Sequence, residues 1–267
     1  MRLKLIACEI FCRELCAAVA ASPNTVSVEF LPKGLHDIGA GPMRERLQER
    51  IDAVPEDQFE AVALGYGLCN NGIAGLCART RPLVVPRAHD CITLFLGSRE
   101  RYRTYFDTHP GTYFHTTGWI ERGGSAGELE DLSIQRRIGL GRRREEWIAE
   151  YGEDNAEYLA SVLGDSSRGY SRLTFIEMGV EPDDSFERHS RAYAREKGWI
   201  FEKIRGDMTL LRDLVDGRWD EERFLTVPPG SRIKARYDDA IVAAESIEPA
   251  CESCRKTVGG KKSCGIG

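Results

Sequence analysis

The sequence predicts an α/β fold: an open, mainly parallel, Rossmann-like sheet with helices on both faces and a helical insertion. Three observations lead to it. Short apolar runs alternate with amphipathic stretches of helical period along the first 120 residues. The connections between them are short, as in strand–helix–strand units. A second strand–helix–strand series resumes near residue 171.

The elements follow in order. Leu3 to Cys8 is apolar apart from Lys4 and reads as a buried strand. Ile10 to Ala21 carries apolar residues at helical spacing and is closed by Ser22-Pro23-Asn24. Thr25 to Leu31 alternates apolar and polar residues, a second strand. A loop from Pro32 to Asp37 leads to an amphipathic helix over Met43 to Val54. Ala61 to Gly65 is a third strand and runs into the loop Gly65-Tyr66-Gly67-Leu68-Cys69-Asn70-Asn71-Gly72. Leu83 to Val85 is a short fourth strand before Pro86-Arg87-Ala88-His89-Asp90-Cys91, and Ile92 to Tyr105 reads as one helix. Gly111 to His115 is a fifth strand, followed by Thr116 to Trp119. The charged stretch from about 123 to 169, including Arg142 to Arg144 answered by Glu145 and Glu146, reads as helical with a solvated face. Strands return at Leu173–Glu177 and Trp199–Ile204, around a helix over Asp184–Lys197. A helix over Met208–Asp216 and a last strand at Phe224–Val227 complete the pattern.

This divides the chain into an N-terminal α/β lobe at 1–122, a helical insertion at 123–170, a C-terminal α/β part at 171–248 and a flexible Cys-rich tail at 249–267. The C-terminal part either continues the first sheet or builds a second lobe.

Composition narrows the function classes. The chain has 267 residues, enough for a sizeable core. Forty-two acidic residues against 37 basic ones give a net charge of −5, which disfavours a phosphate-backbone ligand. No apolar run reaches the length of a membrane span. Met1-Arg2-Leu3-Lys4 followed by apolar residues has the outline of a leader, but Arg13 and Glu14 interrupt it, so a strand and a helix are expected instead. A cytoplasmic, reducing location follows, with no nucleic-acid or membrane partner. Nine cysteines, an odd number, then read as free thiols.

Three of those cysteines each follow a predicted strand directly: Cys8, Cys69 and Cys91. Ligand crevices in open α/β sheets lie at the C-terminal strand ends. If the three strands are neighbours, their thiols converge from distant sequence positions. Thiolates suit zinc, iron–sulfur clusters or Cu(I), and three of them leave one position open. His89 is a fourth ligand or, with Asp90, an outer contact. Gly65, Gly67 and Gly72 flank Cys69, and with Asn71 this loop reads as a cofactor-binding turn or as a tight strand-to-helix turn. His36 faces the same crevice from the second strand, and Arg87 favours an anionic ligand. His115 and Trp119 follow the fifth strand. Cys12 and Cys16, one and two turns beyond Cys8, are expected to pack on the sheet, as is Cys77 on a helix after the glycine loop. Cys251-x-x-Cys254 with Cys264 is a tail with an optional metal role.

At these residues the sequence resembles the DUF1638 family. The resemblance rests on Leu5-Ile6-Ala7-Cys8-Glu9 with Arg13-Glu14-Leu15 and on Phe30-Leu31-Pro32-x-Gly34-Leu35-His36. It also rests on Gly65-Tyr66-Gly67-Leu68-Cys69-x-Asn71-Gly72, on Pro86-Arg87-Ala88-His89-Asp90-Cys91-Ile92, and on Gly111-Thr112-Tyr113-Phe114 with Gly118-Trp119. It covers most of residues 1–120 and carries over Cys8, His36, Cys69, His89 and Cys91 as pattern positions without roles. Members are often encoded beside corrinoid-dependent methyltransferases. The resemblance therefore implies one-carbon metabolism, with a corrinoid contact and a corrinoid protein or methyltransferase as partner.

The leading expectation is a metal- or metallocofactor-binding protein with Cys8, Cys69 and Cys91 as ligands, holding zinc or an iron–sulfur cluster and linked to methyl transfer. The alternatives are a cysteine-nucleophile enzyme, with Cys91 or Cys69 attacking and His89 or His36 as base, and a small-molecule binding module without chemistry.

Overall fold

The computed structural model describes residues 1–123, 129, 132–134, 144–153, 155–158 and 169–247. Strands β1 (Arg2–Cys8), β2 (Thr25–Leu31), β3 (Ala61–Gly65) and β4 (Leu83–Pro86) are parallel, and β8 (Phe224–Val227) adds antiparallel to β4. The order is β2-β1-β3-β4-β8. Every residue of β3 and β4 is buried, as their unbroken apolar runs require for central strands covered on both faces. Lys4 and Glu29 pair across β1 and β2 at 2.9 Å, near the sheet edge.

A single 3₁₀ turn, Glu9–Phe11, leads from β1 into α1 (Cys12–Ala21). α2 (Ala40–Asp52) buries Met43, Leu47 and Ile51, a stripe at four-residue spacing. The helix expected over Ile92–Tyr105 is two helices, α3 (Cys91–Leu96) and α4 (Arg99–Thr108). Gly97 ends the first in a left-handed conformation (φ 78°), and the Ser98 hydroxyl caps the second by accepting from the Arg101 N–H at 3.0 Å.

A second sheet of three parallel strands holds β5 (Thr112–His115), β6 (Arg172–Glu177) and β7 (Ile200–Arg205), in that order. Strand pairing therefore crosses residue 122 in both directions: β5 joins the later strands, and β8 returns to the first sheet. Among the described residues of the insertion is α6 (Arg144–Tyr151), with Trp147 buried. Arg142 and Arg143 lie outside the described residues, as do Cys251, Cys254 and Cys264. α5 (Thr117–Glu121), α7 (Ser185–Lys197) and α8 (Thr209–Asp216) complete the described helices, and α8 packs on α1, β3 and β4.

Phe224–Val227 is not the last strand. A hairpin of β9 (Ser231–Ala235) and β10 (Val242–Ser246) follows. Its period-two pattern, with Ser231, Ile233 and Val242 inward, had been legible. No described helix is long and apolar enough to cross a membrane.

Candidate functional site

β1, β3 and β4 are consecutive neighbours, so Cys8, Cys69 and Cys91 do emerge side by side. The order β2-β1-β3 reverses direction between β1 and β3, and the crevice of an open α/β sheet lies at the C-terminal ends of such a switch point. A cavity of about 400 Å³ sits there, and Cys8, Cys69 and Cys91 all line it.

Each thiol is placed by its own local device. Cys8 ends β1 and is buried. Cys69 lies in a turn where three successive non-glycine residues, Cys69, Asn70 and Asn71, hold φ of 42°, 55° and 64°. Side-chain-bearing residues visit this region rarely, and a run of three stores strain of the kind that collects at functional sites. The turn is pinned by Leu68 N–H and Cys69 N–H donating to the carbonyls of Ala88 (2.8 Å) and His89 (3.0 Å). Gly67 makes this approach possible: a Cβ there would lie 2.8 Å from the Asp90 backbone. Cys91 is the first residue of α3, whose cap is Asp90. The Asp90 carboxylate accepts from Thr93 N–H at 3.1 Å and from the Tyr102 hydroxyl at 2.9 Å.

The thiols sense one another. Burial pushes Cys8 up to about 12, with Glu9 adding to the rise. Cys69 is likewise pushed up to about 12, first by desolvation, then by Cys8 and Asp90. Cys91 is raised by desolvation, then by Cys69, Asp90 and Cys8. Opposing this, backbone amides favour each thiolate: Ile10 for Cys8, Gly67 and Cys91 for Cys69, and the residue's own N–H for Cys91. The Tyr66 hydroxyl is buried with no hydrogen-bond partner, beside Cys8 and Cys69. Among the described residues no group of three or more His, Cys, Asp and Glu is arranged to hold a metal ion.

The second sheet supplies the opposite wall. Thr112, Tyr113 and Phe114 of β5, Thr116 and Trp119 line the cavity with Phe11 and Phe95. α5 is drawn onto the 3₁₀ turn after Cys8 because position 118 is glycine: a Cβ there would stand 1.8 Å from the Ile10 carbonyl oxygen. Lys33 Nζ lies 4.5 Å above the Trp119 ring. His36 also lines the cavity. Its Nε2 pairs with Asp37 at 2.9 Å and its Nδ1 lies 2.8 Å from the Lys33 carbonyl. Burial works against its charge, but Asp37 outweighs this and the pKa is raised.

The other predicted residues divide. Gly67 and His89 line the cavity, His89 as an exposed residue at its rim. Gly65 packs inside the sheet, where a Cβ would meet that of Ala7 at 2.5 Å, and Gly72 lies under Met43. Asn71 is exposed. Arg87 does not line the cavity. Its guanidinium donates to the carbonyls of Glu221 (2.8 Å), Phe224 (3.2 Å), Ala240 (2.8 Å) and Val242, and so clamps β8 and the hairpin. His115 is buried against Ser190 (3.0 Å) and pushed down to about 4 by desolvation and His189. Cys16 is not packed on the sheet but exposed, with Cys12 half-buried beside it, because Glu14, Leu15 and Ala18 form the inner face of α1. Cys77 is on no helix. Its chain is broken by Gly75 (φ 91°), and it bridges to Arg232 beside the hairpin.

A family model described as "Protein of unknown function (DUF1638)" matches residues 30–215, well over half of the chain. The chain belongs to the DUF1638 family. The matched span contains His36, Cys69, His89 and Cys91, and the DUF1638 chain brings Cys8 to the same cavity from the strand before it. No curated protein and no solved structure matches the chain.

Sequence reasoning passed over Tyr66, Lys33 and the capping role of Asp90. It also passed over Glu14, which is fully buried on α1 with both carboxylate oxygens unpartnered and is raised to about 7, first by desolvation and then by Glu181 and Glu121. An ionisable residue two places inside a helix start beside buried Leu15 was the available signal.

Proposed function

We propose that this protein binds a metallocofactor, an iron–sulfur cluster held by Cys8, Cys69 and Cys91 with one iron left open to the cavity. The observation that carries this reading is the convergence of three cysteines from adjacent strand ends on one cavity. Two properties support it. The cavity is far larger than one ion needs. Backbone N–H groups aimed at cysteine sulfurs are a recognised means of tuning cluster potentials.

A metal-free site keeps its thiols protonated, so loading exchanges protons for positive charge. The same property weighs against a cysteine nucleophile, which needs a depressed pKa. His89 is exposed at the cavity's rim, and both nitrogens of His36 are engaged. At about 400 Å³ the cavity is sized for a cluster with a small substrate rather than for a whole corrinoid. A methyl-transfer link would run through a corrinoid protein or methyltransferase at its mouth.

The test is anaerobic reconstitution of the reduced protein with iron and sulfide. Wild type should become coloured and hold iron and sulfide together. Cys8→Ser, Cys69→Ser and Cys91→Ser should each lose most of both, while Cys16→Ser and Cys77→Ser keep them. A colourless, iron-free wild type ends the cluster reading. Zinc bound by the same three cysteines would replace it with a single-ion site.

A further inference from the structure

The cavity has more in it than thiols. Its wall is largely aromatic, and its polar groups are mostly spoken for. Asp90 accepts from Thr93 and Tyr102. The Thr116 hydroxyl caps α5 by accepting from Trp119 N–H at 3.2 Å, and the Thr112 hydroxyl donates to the His109 carbonyl at 2.7 Å. His36 is held at both nitrogens. Lys33 is different. It is half-buried, and its ammonium forms no ion pair among the described residues, resting on the Trp119 face. Desolvation lowers its pKa, and Asp37 and Glu9 offset that only in part, so an anion seated on the ammonium would be favoured.

We propose that the cavity takes, beside the thiols, a small monocarboxylate with a flat apolar body, its carboxylate on Lys33 Nζ and its body against Trp119 and Tyr113. This rests on the reading that the thiol cavity is the functional site. A cation already seated on an aromatic face places charge and ring in one plane of recognition, so a carboxylate joined directly to a flat group meets both at once. The Tyr66 hydroxyl, buried and unpartnered deeper in the same cavity, remains as a polar contact for the far end of such a ligand.

The experiment is calorimetric titration of the reduced, full-length, iron-free protein with benzoate, benzamide and benzylamine. Benzoate should bind, with benzamide and benzylamine weaker by roughly tenfold or more. Lys33→Met should lower benzoate affinity by roughly tenfold or more while leaving benzamide unchanged, Lys33→Arg should retain it within a few-fold, and Trp119→Leu should weaken both ring compounds. Equal binding of benzoate and benzamide overturns the proposal, as does a wild type that binds neither or a Lys33→Met variant unchanged toward benzoate. Iron content is read on separate, reconstituted samples. If Lys33→Met loses iron but keeps benzoate, Lys33 is a counter-ion of the cluster and the proposal fails. If wild type takes no iron but binds benzoate through Lys33, the cluster reading fails and this one stands. Should Lys33→Met not fold, the benzoate–benzamide contrast in wild type and the Lys33→Arg result still decide.

Discussion

Replacing Glu14 by Gln should make this protein more stable at neutral pH, and the gain should vanish in acid. Glu14 is completely buried, neither carboxylate oxygen has a hydrogen-bond partner, and the group is held at about 7 rather than 4.5. At about 1.4 kcal/mol per pKa unit, the native state disfavours the ionised carboxyl by roughly 3 kcal/mol. The sign follows from proton binding. Between 4.5 and 7 the folded protein keeps a proton that the unfolded chain has released, so the Glu14 contribution to stability falls as pH rises through this window and is flat above it. Glu14→Gln keeps the shape and removes the titration. The difference between variant and wild type should grow from near zero at pH 4.5 to roughly 3 kcal/mol at pH 8, which is about 6–12 °C in melting temperature for a chain of this size. Melting curves of both proteins across that range, under reducing conditions, measure it. A difference that does not change with pH, or a variant less stable than wild type at pH 8, refutes the reasoning.

Three further outcomes are expected. Iron uptake should weaken steeply with falling pH, because each of the three thiols sits well above neutrality in the metal-free state and loading must displace up to three protons; competition with an iron chelator at several pH values reads the slope. Asp90→Asn should leave α3 capped but remove a charge that raises both Cys69 and Cys91, so alkylation of metal-free protein at pH 8 should speed up, whereas Asp90→Ala should cost about 1 kcal/mol of stability as well. Gly118→Ala should destabilise by roughly 2 kcal/mol or more, since its methyl would strike the Ile10 carbonyl, and should shift the fluorescence of Trp119 as α5 moves off the turn after Cys8.

The parallel sheet was legible because β3 and β4 are unbroken apolar runs, and β1 one interrupted by Lys4, each ending in a loop, and that pattern belongs to buried parallel strands. The convergence of Cys8, Cys69 and Cys91 was legible for the same reason, given neighbouring strands. Strand order itself is set by packing between distant segments, and it was read as a condition rather than a result. The split of Ile92–Tyr105 was missed because Gly97 and Ser98 interrupt a helical period without disturbing its apolar positions. Arg87 looked like an anion ligand beside His89, but its partners are carbonyls more than 130 positions away, which no local pattern announces. The aromatic wall was hidden in the same way. Tyr113 belongs to a different sheet from the thiols and Trp119 to the helix after it, and they face the thiols because Gly118 lets α5 close on Ile10.

Under the proposed metallocofactor reading, that arrangement would keep the thiols inert without the cofactor and let them serve once it is bound. Around the metal-free site negative charges outnumber positive ones: Glu9 and Asp37 act on Cys8 against Lys33, and Asp90 acts on Cys69 and Cys91. They add to desolvation and keep the sulfurs protonated, which protects three neighbouring cysteines from oxidation, since it is the thiolate that reacts. The amides of Ile10, Gly67 and Cys91 point the other way and favour sulfur that carries charge. A small organic cation brings no bonds to the sulfurs and cannot compensate three buried thiolates. A metal-bearing guest can, because each thiolate gains a direct bond while the amides retain their targets. On the proposed reading, selection for such a guest would be built from the backbone at the ends of β1, β3 and β4.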